Sequence, residues 1–430
     1  MYVLNMVRRR RRQLAPGQKT NPFRAFSHRD FRRFFFGQLP SASGTFLQQT
    51  ALGWLVFQQT GSAASLGMVL ATGSLPALLL GPWGGAFADR FDLRRLLLIT
   101  QVASAVFAGA LWLAVFTGVA TIVVIMCINV ASGLVSVVDG PARQAFVGQL
   151  VPAADLASAI SLNGVIMNGA KVIGPAVAGI LIATVGTTPC FAVNALSYLA
   201  VIAALLTITS PTGSAAGRAS GGVGEGLRYA RGRHQLWLPL AMMALIGLFA
   251  FNFTVVLPVF TEADLGATGG AYGLLTAALS VGSVLGSLLV GRIAHPKRIY
   301  LAVASLAFGV AMILTAMTTT VTAAVVALAL TGLVAFVFVT LTSTTLQLHS
   351  APPYRARIMA LYSFFYLGTT PVGSIVMGWI CQQFGGRAAL GVGASACLIA
   401  AGLAFRVHTP PHPDDQLDDL HITETACSRL

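Results

Sequence analysis

The chain has 430 residues, 56% of them hydrophobic and only 9% charged, with a mean hydropathy of +0.78 and a formal net charge of +14. Such values exclude a water-soluble globular domain of this size, and continuous rather than alternating apolar runs exclude membrane-spanning strands. The basic excess alone would suggest nucleic acid, but basic residues crowded into the loops between apolar runs orient a membrane protein, so no nucleic-acid partner is expected.

Residues 1–34 read as a basic tail followed by an interfacial segment. Arg8 to Arg12 form a run of five arginines. It suits a disordered tail beside anionic lipid, with partner or nucleic-acid binding as the alternative. No apolar run with a small-residue cleavage site follows it, so no cleaved signal is expected. Phe23, Phe26, Phe31 and Phe34 to Phe36 alternate with Arg24, Arg29, Arg32 and Arg33. That pattern suits a helix lying in the headgroup region.

About twenty apolar residues span a bilayer as a helix. By that measure an all-α membrane protein with twelve transmembrane helices is expected. Six spans fall near 35–58, 65–88, 94–117, 119–140, 158–185 and 188–208, within an N-terminal half 35–208. A cytoplasmic central loop, 209–235, carries Arg218, Arg228, Arg231 and Arg233, and its second part could be a short surface helix. Six more spans fall near 237–260, 271–291, 299–318, 321–348, 356–383 and 387–407, in a C-terminal half 236–407. The tail 408–430 is acidic and proline-containing, and is expected to be disordered.

Every Lys and Arg except Lys171 and Arg387 falls on the side of the N-terminus. That asymmetry places both termini in the cytoplasm. The halves also repeat: Gly174, Gly179 and Gly186 match Gly373, Gly378 and Gly385, and Arg94 matches Arg298. Two six-helix halves repeated in parallel put a binding site near mid-membrane between them.

The turn after the second span, Gly85-Ala-Phe-Ala-Asp89-Arg90-Phe-Asp92-Leu-Arg94-Arg95, packs charge into an otherwise apolar chain. It resembles the loop signature of the major facilitator superfamily, Gly-x-x-x-Asp-Arg-x-Gly-Arg-Arg/Lys. Gly85, Asp89, Arg90 and Arg94 fill matching positions; Asp92 and Leu93 depart from it. The variant is similar to the branch holding the enterobactin exporter and macrolide efflux pumps, over most of residues 23–407. The resemblance implies the major facilitator fold and a conformational latch formed by Asp89, Arg90 and Arg94, with Asp139 and Arg143 as candidate partners. The alternative is a solvated loop that only sets topology.

The fifth span carries Asn168-Gly-Ala-Lys171-Val-Ile-Gly174-Pro175-Ala-Val-Ala-Gly179. Gly174, Pro175 and Gly179 resemble the antiporter signature of facilitator exporters. Ala170, Gly174 and Ala178 form one small-residue stripe, and Pro175 bends the helix. Lys171 is the only ionisable side chain well inside an expected span, where a charge costs about 2.5–3.5 kcal/mol on insertion scales. It could line a cavity with Asn168, suiting an anionic or carbonyl-rich substrate, or snorkel to the cytoplasmic interface. Asn163, Gln48 and Asn129 are further substrate or coupling candidates. Asn129 stands where the family carries an arginine, four residues before Gly133. No carboxylate is expected at mid-membrane, which leaves the proton site unassigned.

Cys127, Cys190, Cys381, Cys397 and Cys427 are scattered, without a Cys-x-x-Cys pair, so neither a metal nor a cofactor is expected. No nucleophile, zinc or Walker motif indicates an enzyme. The leading reading is a monomeric inner-membrane exporter of a siderophore or drug-like small molecule, working by alternating access with a proton as coupling ion. Uptake, lipid flipping and a non-transporting scaffold or receptor are the alternatives. In intact cells, a cysteine placed at position 188 or 269 should react with an impermeant thiol reagent, and one at 94 or 231 should not. External labelling at 231 would reverse the topology.

Overall fold

The computed structural model describes residues 23–88, 90–208, 223–290, 298–351 and 354–406. The arginine run, Asp89, the first part of the central loop and the acidic tail lie outside them. Six long helices come first: α1 (Arg29–Thr60), α2 (Ala63–Ala88), α3 (Leu93–Phe116), α4 (Ile122–Gln149), α5 (Leu156–Thr184) and α6 (Thr188–Thr207). A short helix α7 (Val223–Arg231) precedes α8 (His234–Phe249) and α9 (Phe253–Val259), which runs into a π-helical turn, Phe260–Asp264. Then come α10 (Gly269–Val290), α11 (Arg298–Ala316), α12 (Val321–His349), α13 (Arg355–Ser363), a π-helical turn Phe364–Gly368, and α14 (Thr370–Arg406).

Among the described residues, ten helical stretches are long and apolar enough to cross a membrane. One of them, Arg357–Arg406, is fifty residues long and holds two spans, because Gly385 interrupts it at φ 83 and ψ 172. Only glycine takes that conformation without strain, so a single residue turns the chain. The remaining span is α1. Its 32 residues include Gln38, Ser41, Ser43, Thr45, Gln48 and Gln49, which lower its hydropathy below that of the others. The protein is therefore all-α, with twelve spans in two six-helix halves.

The chain divides into two compact units, one comprising residues to Gln58 and Thr72–Arg218, the other Gln59–Ala71 and residues from Ala219 onward. In the first unit α3 packs on α4 and α6; in the second α11 packs on α12 and α14. The start of α2 belongs to the second unit because the backbone N–H of Ala63 donates to Gln382 Oε1 (2.8 Å) and Gly67 lies against Gly378. The broadest helix contact in the second unit joins α10 and α12. There Gly282 and Gly286 face the backbone of Ala329 and Leu333, and Gly332 faces that of Leu279. A Cβ at any of the three would collide with a carbonyl oxygen, so the small-xxx-small spacing is what lets the helices touch.

Three boundaries differ from the sequence reading. Helix α1 begins at Arg29, and Phe31, Phe34 and Phe35 are buried in the first unit's core rather than in headgroups. Helix α4 runs to Gln149 instead of ending near 140, since Pro141 is accommodated inside it. The seventh span is broken at 250–252, where Asn252 Nδ2 donates to Leu248 O (2.7 Å) and Gly373 and Gly393 press on the backbone around the break.

Gly332→Leu should lower the thermal midpoint of the solubilised protein, with an overpacking cost of about 3 kcal/mol because the obstacle is backbone. Gly391→Ala, where nothing lies within 4 Å of the added Cβ, should be neutral. Equal midpoints for the two variants would remove the seam from the account of stability.

Candidate functional site

The polar side chains of the first unit are set by how α1 meets its neighbours. Gly174 of α5 lies against α1: an added Cβ would sit 2.7 Å from both Phe46 Cβ and Ser43 O. Ala170 and Ala178, one turn to either side, are fully buried. Pro175 and Gly179 are buried as well. This contact leaves Lys171, half-buried on α5, with its ammonium 6.0 Å from the centre of the Phe46 ring. That is at the outer reach of a cation–π interaction. Asn168, three residues earlier and on the same side of the helix, is half-buried too.

The other substrate candidates lie elsewhere. Gln48 is engaged in the seam between α1 and α6: Asn194 Nδ2 donates to its Oε1 (2.7 Å). Gly44 fits against Asn194 and Ser197 in the same seam, and Thr45 Oγ1 is 3.4 Å from the Tyr198 hydroxyl. Asn129 faces Gly73 of α2, beside the tight contact of Gly133 with Gly73 and Pro76. Asn163 is half-buried near the start of α5, and its Oδ1 has no hydrogen-bond partner among the described residues. Lys171 and Asn168 thus share one side of α5, while Gln48 and Asn129 lie in two other helix contacts and Asn163 lies apart near the start of α5.

The charged residues also separate. Asp139 and Arg143 form an ion pair one turn apart on α4. Thr100 Oγ1 and Gln101 Nε2 of α3 each donate to Asp139 Oδ1 at 2.7 Å. Asp139 is buried, about 15 Å along α4 from Gln149, so it is a carboxylate inside the bundle rather than at the helix end. Arg94 does not join this group. Its Nε donates to Leu205 O (2.8 Å) and its Nη2 to Leu206 O (3.0 Å), closing the C-terminus of α6. Arg298 does the same for the last span by donating to Ala404 O. Arg90 is exposed in the turn. Asp92, a departure from the family signature, caps α3 by accepting the N–H of Arg95 (2.8 Å). Asp89 lies outside the described residues, as do the surroundings of Gly85.

Two clusters were not anticipated. Asp155, buried at the start of α5, pairs with Arg24 (3.0 Å) and His28 (2.8 Å), while Ala25 N–H donates to Ser158 Oγ (3.1 Å). These contacts dock the segment before α1 on α5. In the second unit, Asp264 accepts the N–H of Arg387 (3.1 Å) and Arg387 also donates to Thr318 O (3.0 Å). The isolated position of Arg387 in the sequence was the available signal for the latter. Among the described residues no cluster of three or more metal-ligating side chains occurs.

A family model described as "transmembrane secretion effector" matches residues 20–428. The staphyloferrin A transporter of Staphylococcus aureus is 27% identical over 60% of this chain and 66% of its own length. The multidrug efflux pump Tap of Mycobacterium tuberculosis is 25% identical over 81% of this chain and 86% of its own. Among solved structures, an inward-facing bacterial homologue of the lysosomal transporter Spinster superposes with a TM-score of 0.71 at 14% identity, covering 90% of this chain and 97% of that one. The nucleoside transporter NupG gives 0.70 at 13% identity, covering 88% and 100%, and a D-xylose–proton symporter 0.68 at 14%, covering 87% and 96%. At those identities the likeness is one of fold.

Asp139→Ala would leave the Arg143 guanidinium without its carboxylate. Stability in detergent should fall by about 3 kcal/mol, and the double variant Asp139→Ala/Arg143→Met should recover most of it. Additive losses in the double variant would mean that the pair does not act as one.

Proposed function

Because the chain belongs to the transmembrane secretion effector family of the major facilitator superfamily, a family of integral membrane transporters and not enzymes, we propose that it exports a small molecule across the inner membrane. The transport cycle is alternating access of two halves, 35–208 and 236–407, driven by exchange for protons, with both termini in the cytoplasm. The charged turn from Asp89 to Arg94 acts as the latch between states, with Asp139 and Arg143 as its candidate partners. The staphyloferrin A transporter and the Tap pump, by their names, handle a siderophore and multiple drugs. A siderophore or drug-like substrate for this chain is consistent with both.

The observation that carries the reading is Lys171. An ammonium inside a span costs about 2.5–3.5 kcal/mol, and such groups are retained where they face protein or water and serve a pathway. This one leans toward Phe46 beside Gly174 and Pro175. An aromatic ring next to a cation offers an apolar face and a charge to one ligand. That pair suits a flat or amphipathic molecule bearing a carboxylate or several carbonyls.

The test is efflux from energised cells, or uptake by everted vesicles, of siderophore and drug substrates. Lys171→Ala should abolish transport with normal membrane abundance. Lys171→Arg should keep partial transport if the charge alone matters, and little if Lys171 must release a proton, since arginine does not. Full activity in the alanine variant would overturn the role of Lys171.

A further inference from the structure

We propose that the junction of α7 and α8, together with the start of α13, forms a binding site for the phosphate headgroup of an anionic phospholipid. The site lies wholly in the second unit. Its frame is an aromatic stack: the rings of Tyr229 and Tyr354 lie face to face, 4.0 Å apart and 4° from parallel. The Tyr229 hydroxyl accepts the N–H of Ala351 (3.1 Å), so α7 is fixed to the segment that begins α13.

Arginines are arrayed on this frame. The Arg233 guanidinium lies 4.3 Å from the Tyr229 ring centre and donates to the Tyr229 hydroxyl. The Arg357 guanidinium is 5.2 Å from the Tyr354 ring, and that of Arg231 is 5.5 Å from the Trp237 ring. Arg228, Arg231, Arg233 and Arg355 are exposed. The ion pairs among the described side chains involve other cations. Stacking occupies the face of a guanidinium, and its in-plane N–H groups suit the oxygens of a phosphate. Two chain segments more than a hundred residues apart are thereby clamped, with exposed arginines on each.

The phosphate belongs to a lipid because of where the frame sits. Trp237 is in the first turn of α8, the start of the span His234–Asp264. Tryptophan at a span end marks the bilayer interface, so the Arg231 guanidinium stacked on it is at headgroup depth. Acyl chains beside the apolar face of the span would hold a phosphodiester there.

The test uses the full-length protein in mixed nanodiscs. A photoreactive phosphatidylglycerol should label peptides covering 228–237 and 354–357, and a matched phosphatidylcholine should not. Native mass spectrometry should show retained phosphatidylglycerol on the wild type. Arg231→Gln/Arg233→Gln should weaken that retention about 25-fold, taking each surface arginine's usual contribution, whereas Arg95→Gln, an exposed arginine of the other unit, should not change it. Labelling spread evenly over the basic loops, or equal retention of the two lipids, would overturn the proposal without recourse to any variant. So would competition by free glycerol phosphate at the lipid's own concentration, which would assign the site to a soluble anion.

Discussion

Helices in lipid gain nothing by hiding apolar side chains from one another, so their association depends on how closely their backbones can approach. That constraint sets the interior of both units here. Gly282, Gly286 and Gly332 bring α10 against α12, and Gly174 brings α5 against α1. Dispersion summed over such a contact is large only when no side chain props the helices apart. The second contact also fixes the site, because the approach at Gly174 leaves the Lys171 stem lying toward Phe46. Packing and chemistry are therefore one arrangement: a larger residue at 174 would move the ammonium as well as the helix.

Helix ends obey a second constraint. Each helix leaves four carbonyls without intrahelical partners, and near a bilayer these must be satisfied. Arg94 serves the end of α6 and Arg298 the end of α14. A cation at a helix C-terminus contributes about 0.3–1 kcal/mol, more when partly buried. The repeat noticed between the halves thus has a physical content at this pair: the same residue type, after the second span of each half, closes the last helix of that half. At the opposite polarity, Asp92, Thr121 and Thr320 cap the starts of α3, α4 and α12.

The twelve spans were legible because each needs a long apolar run, and composition alone reports that. Their polar extensions were not. Hydropathy falls once α4 leaves the apolar slab, yet the helix continues through Pro141 to Gln149. Asp139 therefore read as lying at a helix end, although the helix continues ten residues beyond it and the side chain is buried. The phenylalanines before residue 36 misled for a related reason. Phe31, Phe34 and Phe35 share one side of a helix, and a pattern cannot tell a protein core from a lipid interface. Gln48 with Asn194 and Asp155 with His28 are separated by more than a hundred residues, and no local signal pairs them. Arg94 was grouped with Asp139 by its place in a motif; the structure adds that its guanidinium closes the end of α6, which no local signal announces.

The turn at Gly385 has a consequence for how the protein is made. The last two spans share one helical stretch with no loop between them, and Arg387 sits two residues beyond the turn. With both termini in the cytoplasm, as proposed, the pair forms a tight hairpin that carries Arg387 across the bilayer at its tip. A guanidinium crossing a bilayer is costly, and its eventual carboxylate partner, Asp264, was synthesised earlier, at the end of the seventh span. The order of residues along the chain thus supplies the receptor for the final charge before that charge has to cross.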